Sequence, residues 1–396
     1  MTTTIKPLAS TQKPALAKPH SEIQLKPVSR EEFTLLESEW DTFHAQTQIP
    51  SPFQSWDYLS VWWQVYGDKG YDGKMFIARD DNGQIIGAAP LMITQKGAFA
   101  GSRGKFRHLA FMGGAGELLG ESLEIPALPG YEEFIGEAVA DLILDTYNGQ
   151  WDVAYFYLVP ETSVSTHAML KKLAEHGIAT KATSSLASPC ITIDGTWEEH
   201  MESRSTKFAS RVRYIQSYAT RRFDMKVHAV ENASEFDCVI NHMVRLSMAR
   251  WGDEAQAFHT DAFTEFHRLF APQFFSKGGV SCGTIELKGE IAGTAYNFVY
   301  DNKMWGYQAP WDMKYKAARA GNLLHIWSAK NACDLGLREL DTLPGDAGYK
   351  DEWTDNEHTL NIYECAHPGT VGGTLFKVAR KIDRMLKHKP NPVTSS

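Results

Sequence analysis

Two stretches of this chain read as the same β-hairpin at one constant offset, and a chain that repeats a hairpin builds its fold around a duplicated unit. In the first, Met75 to Arg79 runs into the turn Asp80-Asp81-Asn82-Gly83, and Gln84 to Ala89 returns. In the second, Gly283 to Leu287 passes through Lys288-Gly289 into Glu290 to Phe298. Gly83 aligns with Gly289, Ile85 with Ile291, Gly87 with Gly293 and Ala89 with Ala295. Each hairpin follows an aromatic stretch with helical spacing: Trp56, Leu59, Trp62, Trp63 and Tyr66 before the first, Phe263, Phe266, Leu269 and Phe270 before the second. Such stripes are core faces that pack against a sheet. Between the copies, Tyr131 to Tyr147 reads as a helix, Val153 to Val159 as a buried strand, and Ser165 to His176 as a helix stopped by Gly177. Thr196 followed by Glu199 has the form of a capping box, so a boundary is expected near Asp194-Gly195. The expected organisation is a disordered leader 1–20, α/β domains 21–194 and 195–390, and a disordered tail 391–396.

At 396 residues the chain can bury two cores. The 48 acidic against 40 basic side chains give a net charge of -8, which argues against a general nucleic-acid binder. Five scattered cysteines without Cys-x-x-Cys spacing suggest neither a disulfide framework nor a zinc site, so no metal is expected and a reducing cytoplasm fits. The first twenty residues lack the apolar centre of a signal peptide, and no apolar run approaches the roughly 20 residues that cross a bilayer.

The chemically richest stretch is 341–353. An apolar run of Leu335, Leu337, Leu340 and Leu343 reads as a buried strand, and the turn-forming Pro344-Gly345 then delivers Asp346, Tyr349, Lys350 and Trp353 at its end. Strand ends of open sheets are where ligands bind. There Asp346 could accept a proton and Lys350 could stabilise a developing negative charge, while Tyr349 could return a proton to a leaving group. The same residues would also serve as a polar turn closed by a surface ion pair. Gly-x-Ser-x-Gly, a locally marked Cys/His pair and His-Glu-x-x-His are absent from the sequence, which points to direct transfer without an enzyme nucleophile.

The acidic strand, Gly345-Asp346, Tyr349-Lys350 and Trp353 together resemble the C-terminal signature of the CelD/BcsL-type acyltransferases of the GNAT superfamily, relatives of the FemABX peptidyltransferases. Ser203, Lys207, Arg211, Arg213, Arg221 and Arg222 resemble the basic helix that opens that family's C-terminal half. The resemblance implies tandem GNAT-like α/β domains, each a mixed, mostly antiparallel sheet flanked by helices, facing a shared cleft. It implies acyl-CoA as co-substrate and an acyl group passed to an amino or hydroxyl group of a small-molecule or saccharide acceptor, in envelope or exopolysaccharide metabolism. Two alternatives stand beside it: a FemABX-like transferase with aminoacyl-tRNA on a basic face made by 207–222 and the C-terminal helix, and a non-catalytic ligand-binding module.

GNAT enzymes hold the CoA pyrophosphate at a helix N-terminus, where unpaired N–H groups and the macrodipole favour an anion. The resemblance therefore points to Arg319-Ala320-Gly321-Asn322, which enters the helix 323–334 after the strand 303–308, although Arg319-Ala320-Gly321 departs from the family's usual glycine-rich loop. Lys207 and Arg211, four apart on one helical face, are candidates for holding an anionic acceptor, with Trp353 as a further substrate contact. Gly113-Gly114-Ala115-Gly116 lacks the Lys-Ser/Thr ending of a P-loop and reads as a loop bordering the cleft, with His108 nearby as a loop histidine. Near the C-terminus Leu375, Ala379, Ile382 and Leu386 share a helical face among Lys377, Arg380, Lys381, Arg384 and Lys387. That pattern fits docking on the core or a weak, reversible contact with an anionic membrane surface.

Overall fold

Both hairpins form where the alternation and Gly turns place them. The computed structural model describes residues 23–95, 106–114, 118, 120–252, 258, 260–345 and 352–387. A first series of strands comprises β1 (Lys26–Val28), β2 (Tyr71–Arg79), β3 (Ile85–Thr94), β4 (His108–Phe111), β5 (Val153–Pro160) and β6 (Lys181–Thr192). A second comprises β7 (Lys226–Ala229), β8 (Val280–Leu287), β9 (Glu290–Tyr300), β10 (Lys303–Gln308), β11 (Glu339–Asp341) and β12 (Asn356–Ala366). Helices α1 (Arg30–Thr34), α2 (Glu37–His44) and α3 (Trp56–Tyr66) precede β2, α4 (Glu132–Leu144) joins β4 to β5, and α5 (Val164–Glu175) joins β5 to β6. Then α6 (Trp197–Ser203) and α7 (Thr206–Phe223) lead into the second series. There α8 (Phe236–Trp251) and α9 (Asp261–Ser276) precede β8, α10 (Ala320–Asp334) joins β10 to β11, and α11 (Val371–Lys387) follows β12.

All of these strands lie in one 12-stranded sheet, ordered β1-β2-β3-β4-β5-β12-β6-β11-β10-β9-β8-β7. The order is unchanged when every strand of one series is exchanged for its counterpart in the other. The last strand of each series has crossed over, since β6 pairs with β11 and β12 pairs with β5. Hydrogen bonding therefore runs unbroken across the expected boundary at 194–195. Only β4·β5 and β10·β11 are parallel among the described pairs, which gives the mixed, mostly antiparallel α/β sheet expected.

The duplication extends to single hydrogen bonds. Gly87 bridges to Ala127, and Gly293 bridges to Trp311. Ala88 N–H donates to Pro126 O at 2.9 Å, as Thr294 N–H does to Pro310 O at 3.1 Å; Leu128 N–H donates to Ile86 O at 2.9 Å, as Asp312 N–H does to Ala292 O at 2.8 Å. The register slips between Ala78 and Arg79 in one hairpin and between Ile285 and Glu286 in the other. Both glycines face a helix at close range. A Cβ on Gly87 would stand 2.5 Å from Ile135 of α4, and one on Gly293 would stand 2.9 Å from Leu324 of α10.

The aromatic stripes of α3 and α9 pack on each other as well as on the sheet. Tyr58 meets Phe266 and Phe270 with ring centroids 4.9 and 5.4 Å apart, in edge-on geometry, while Leu269 faces outward. A second core gathers Ile191, Met304 and Leu340 against Leu323, Ile326 and Phe208 of α10 and α7. The Thr196 capping box forms at the start of α6. The strand expected over 335–343 is shorter than the apolar run: Leu335 caps α10 and is exposed, and Gly336 turns at φ 66°. Pairing then lasts only from Glu339 to Asp341, because Leu343 adopts left-handed backbone at φ 57°.

Candidate functional site

The parallel pair β10·β11 runs in register from Lys303↔Glu339 to Trp305↔Asp341. β11 then ends while β10 continues to Gln308, so their shared ladder stops after Trp305 and Asp341 and leaves Tyr307 and Thr342 beyond it. From the loop after β10, α10 begins. Its N-cap Arg319 has left-handed backbone (φ 57°, ψ 46°), gives no side-chain cap, and its first turn carries no acid. The amides of that turn are therefore not claimed by a capping side chain. Arg319 and Lys316 are exposed, Gly321 and Asn322 half-buried, and Ala320 buried.

Gly321 has a packing reason of its own. A Cβ there would meet Trp311 Nε1 at 2.9 Å, and the Arg250 guanidinium lies over the same indole, 4.9 Å from the ring centroid. A bulky residue at Gly321 would thus displace Trp311 whether or not a phosphate sits nearby.

Asp346, Tyr349 and Lys350 lie outside the described residues, and the flanks of their segment are well tied. On one side the buried Asp341 accepts hydrogen bonds from Ser188 Oγ at 2.6 Å and from Leu343 N–H at 2.8 Å. Burial pushes the Asp341 carboxyl up despite both bonds. On the other side Glu352 pairs with Arg211. Trp353 is buried, 4.7 Å from Phe208 and 4.9 Å from His325 in edge-on contacts, so its indole is a core anchor rather than a wall of an open cleft. Lys207 is exposed one turn before Arg211 on α7. The proposed clamp is thereby split: Arg211 is engaged with a carboxylate, and Lys207 faces solvent.

Sequence reading missed a polar cluster on the sheet face opposite Met304, Leu340 and Ile191. Alternation along β10, β11, β6 and β12 brings Lys303, Glu339, Asp341, Cys190, Ser188 and His358 together there. Glu339 bonds Lys303 at 3.0 Å and His358 at 3.2 Å; burial raises its pKa, but these partners bring it down to about 2. The same bond raises His358. Burial pushes the Cys190 thiol up, which makes it a poor nucleophile. Single ligand atoms of Cys190, Glu339, Asp341 and His358 lie within 4.8 Å of one another, a set that could hold a metal ion. No motif spacing marks it, because the residues come from three strands. A further missed carboxylate is Glu121: burial raises the phenol of Tyr157 and the Glu121 charge adds to it, while for Tyr307 burial and then Tyr66 come before Glu121. His108, expected in a loop, is fully buried on β4 beside Tyr155.

Residues 206–351 match the family model described as acetyltransferase (GNAT) domain. That span takes in α7, both strands of the β10·β11 pair and the segment of Asp346 and Lys350. No curated protein matches the chain. Among solved structures the chain is similar to FemX, with 10% identity, 90% of this chain and 99% of that one covered, and a TM-score of 0.57. It is similar also to a conserved protein of unknown function from Bacteroides thetaiotaomicron (11% identity, 87% and 99% covered, TM-score 0.54). A third is the C-terminal domain of a putative lysylphosphatidylglycerol synthetase from Agrobacterium fabrum (11% identity, 89% and 98% covered, TM-score 0.52). At these identities the likeness is one of fold, and it extends over nearly the whole chain.

Proposed function

We propose that this chain is an acyl-CoA-dependent N- or O-acyltransferase of the CelD/BcsL type, acting on a small-molecule or saccharide acceptor in the cytoplasm. Residues 21–194 and 195–390 act as its two GNAT-like units, and donor and catalytic groups lie in the second. The observation that carries this reading is that the stretch matching the acetyltransferase domain contains a parallel strand pair whose ladder ends at Asp341 and, joining its two strands, a helix whose start is free of acids. The pyrophosphate is held by the first-turn amides of α10 with Arg319, and the acyl arm lies past the end of the β10·β11 ladder. The acceptor nitrogen or oxygen attacks the thioester carbonyl as Asp346 takes its proton. Lys350 balances the oxyanion, the C–S bond breaks, and Tyr349 gives a proton to the departing thiolate. Asp341 and Ser188 act as positioning residues, holding the turn from which that segment departs.

Replacing Asp346 or Lys350 with Ala is expected to lower turnover with acyl-CoA and a suitable acceptor by about two to four orders of magnitude. The melting temperature should hardly move. Parental turnover in both variants would remove them from the mechanism.

A second reading has one observation in its favour. The exposed face of α7 presents Lys207, Arg213, Arg221 and Arg222 together with the half-exposed ring of Tyr214, which stacks on Tyr218 at 5.8 Å. Cations interleaved with aromatic rings suit RNA, as a FemABX-like transferase using aminoacyl-tRNA would require. Transfer from aminoacyl-tRNA with none from acyl-CoA would select this reading.

A further inference from the structure

The helix α11 carries an aliphatic stripe that the rest of the described chain leaves uncovered. Val371, Leu375, Val378 and Ile382 recur at four- and three-residue spacing on one face and are 77, 57, 53 and 51% exposed. The opposite face fixes the helix to the body. Phe376 meets Phe106 and Tyr155 at 5.7 and 6.3 Å between ring centroids, and Arg380 Nε donates to Glu364 at 2.9 Å. In the first turn, Cβ atoms on Gly372 and Gly373 would stand 2.4 Å from Asp152 and 2.1 Å from His367 O, so only glycines allow this approach. The stripe is therefore preformed and outward, and docking by Phe376 does not bury it. Its membership also differs from the sequence pattern, because Val371 and Val378 join Leu375 and Ile382 on the exposed stripe while Phe376 serves attachment.

Charge identifies what covers such a face. Residues 371–387 hold Lys377, Arg380, Lys381, Arg384 and Lys387 against Asp383, and with Arg380 paired to Glu364 on the attached side four positive charges stand against one negative, in a chain of net charge -8. Lys377 and Lys381 are exposed on one flank of the stripe. A helix with an outward aliphatic face bordered by lysines lies in the plane of an anionic lipid surface, with the apolar side chains among the acyl chains and the ammonium groups at the phosphates. No helix of the described residues is long and apolar enough to cross a membrane, so the contact is peripheral. We infer that α11 is a preformed attachment face for an anionic lipid surface. The inference is independent of the acyl-transfer reading, because partition to vesicles is measured without turnover.

The full chain is sedimented with vesicles of phosphatidylcholine alone and of phosphatidylcholine with phosphatidylglycerol. Binding is expected only to the anionic vesicles and should fall in high salt. Leu375→Glu with Ile382→Glu, and separately Lys377→Glu with Lys381→Glu, should each lower the bound fraction about tenfold or more while melting temperatures hold. Equal sedimentation of parent and both variants overturns the inference, as does absence of binding to anionic vesicles. Sedimentation velocity completes the test: a dimer broken by Leu375→Glu with Ile382→Glu, without lipid binding, assigns the face to a second copy of this chain instead.

Discussion

Helices α4 and α10 occupy matching places in the two halves, each entered from a bridge to the third strand's glycine, yet they begin with opposite electrostatics. In α4 the first turn carries Glu132 and Glu133, and Glu132 accepts the Gly130 N–H at 2.6 Å. In α10 the first turn has no acid and is preceded by Arg319 and Lys316. The positive end of the macrodipole is thus answered by the protein's own carboxylates in the first half and by no carboxylate of its own turn in the second. The scaffold was duplicated down to single hydrogen bonds, while the groups that would meet a phosphate were not. A helix start is cheap to change in this way, because its charges are at the surface and its packing is set further along.

The scaffold side of the comparison breaks most visibly at the two bridge glycines. Gly87→Ala should destabilise by about 3 kcal/mol and Gly293→Ala by about 2 kcal/mol in urea unfolding, since each added methyl enters occupied space. The first is larger because three atoms of Ile135 lie within 2.8 Å of the new Cβ, whereas the nearest contact at Gly293 is the flexible end of Leu324 at 2.9 Å. Two neutral substitutions would show that the matching bridges do not reflect matching close approach.

Much of this duplicated frame was legible from residues. Glycine turns, alternation and the Thr196–Glu199 box are local signals, and a constant offset between Gly87 and Gly293 survives without any knowledge of neighbours. The crossing of β6 and β12 was not legible, because strand order is set by partners more than a hundred residues away and one strand offers the same ladder to either. The polar cluster escaped for the same reason: Cys190, Glu339, Asp341 and His358 meet only through the pairing of β6 with β11 and β12. Trp353 shows the opposite failure. A motif position drew it toward a substrate, while its packing on Phe208 and His325 depends on where α7 and α10 settle.

Acid stability gives a second way to compare the halves. His44 of α2 and His267 of α9 are both fully buried, bonded at Nδ1 to Tyr300 and Tyr296 hydroxyls at 2.7 and 3.2 Å, and burial pushes both down to about 3 from 6.5. The folded state therefore keeps them neutral, and the unfolded chain takes up their protons below about pH 6.5. Their contribution is fully present above that pH and is lost as pH falls toward 3, by about 1.4 kcal/mol per unit for each. Glu124, pushed up to about 8 by burial, works the other way between pH 8 and 4.5, so differences against the parent are the useful quantity. Between pH 7 and 5, His44→Gln and His267→Gln should each remove about 2 kcal/mol of the parent's loss. Unequal effects would mean that one half opens to water before the other.

The smallest expected effect bears most directly on function. Arg319 is exposed and leads α10, whereas Glu133 is exposed in the first turn of α4. If only the second half receives the donor, Arg319→Glu should weaken acetyl-CoA binding about tenfold, or about 1.4 kcal/mol, by placing a carboxylate where the pyrophosphate approaches. Glu133→Lys should leave the affinity as it was. Calorimetry on both variants reads the difference without depending on an acceptor, and Arg319 avoids the clash with Trp311 that makes Gly321 a poor probe. Weakening by Arg319→Glu that disappears in high salt would place Arg319 in long-range attraction rather than contact. A gain of affinity in Glu133→Lys comparable with the loss in Arg319→Glu would show that the first half also faces the donor, and the electrostatic asymmetry between the two helix starts would no longer distinguish their roles.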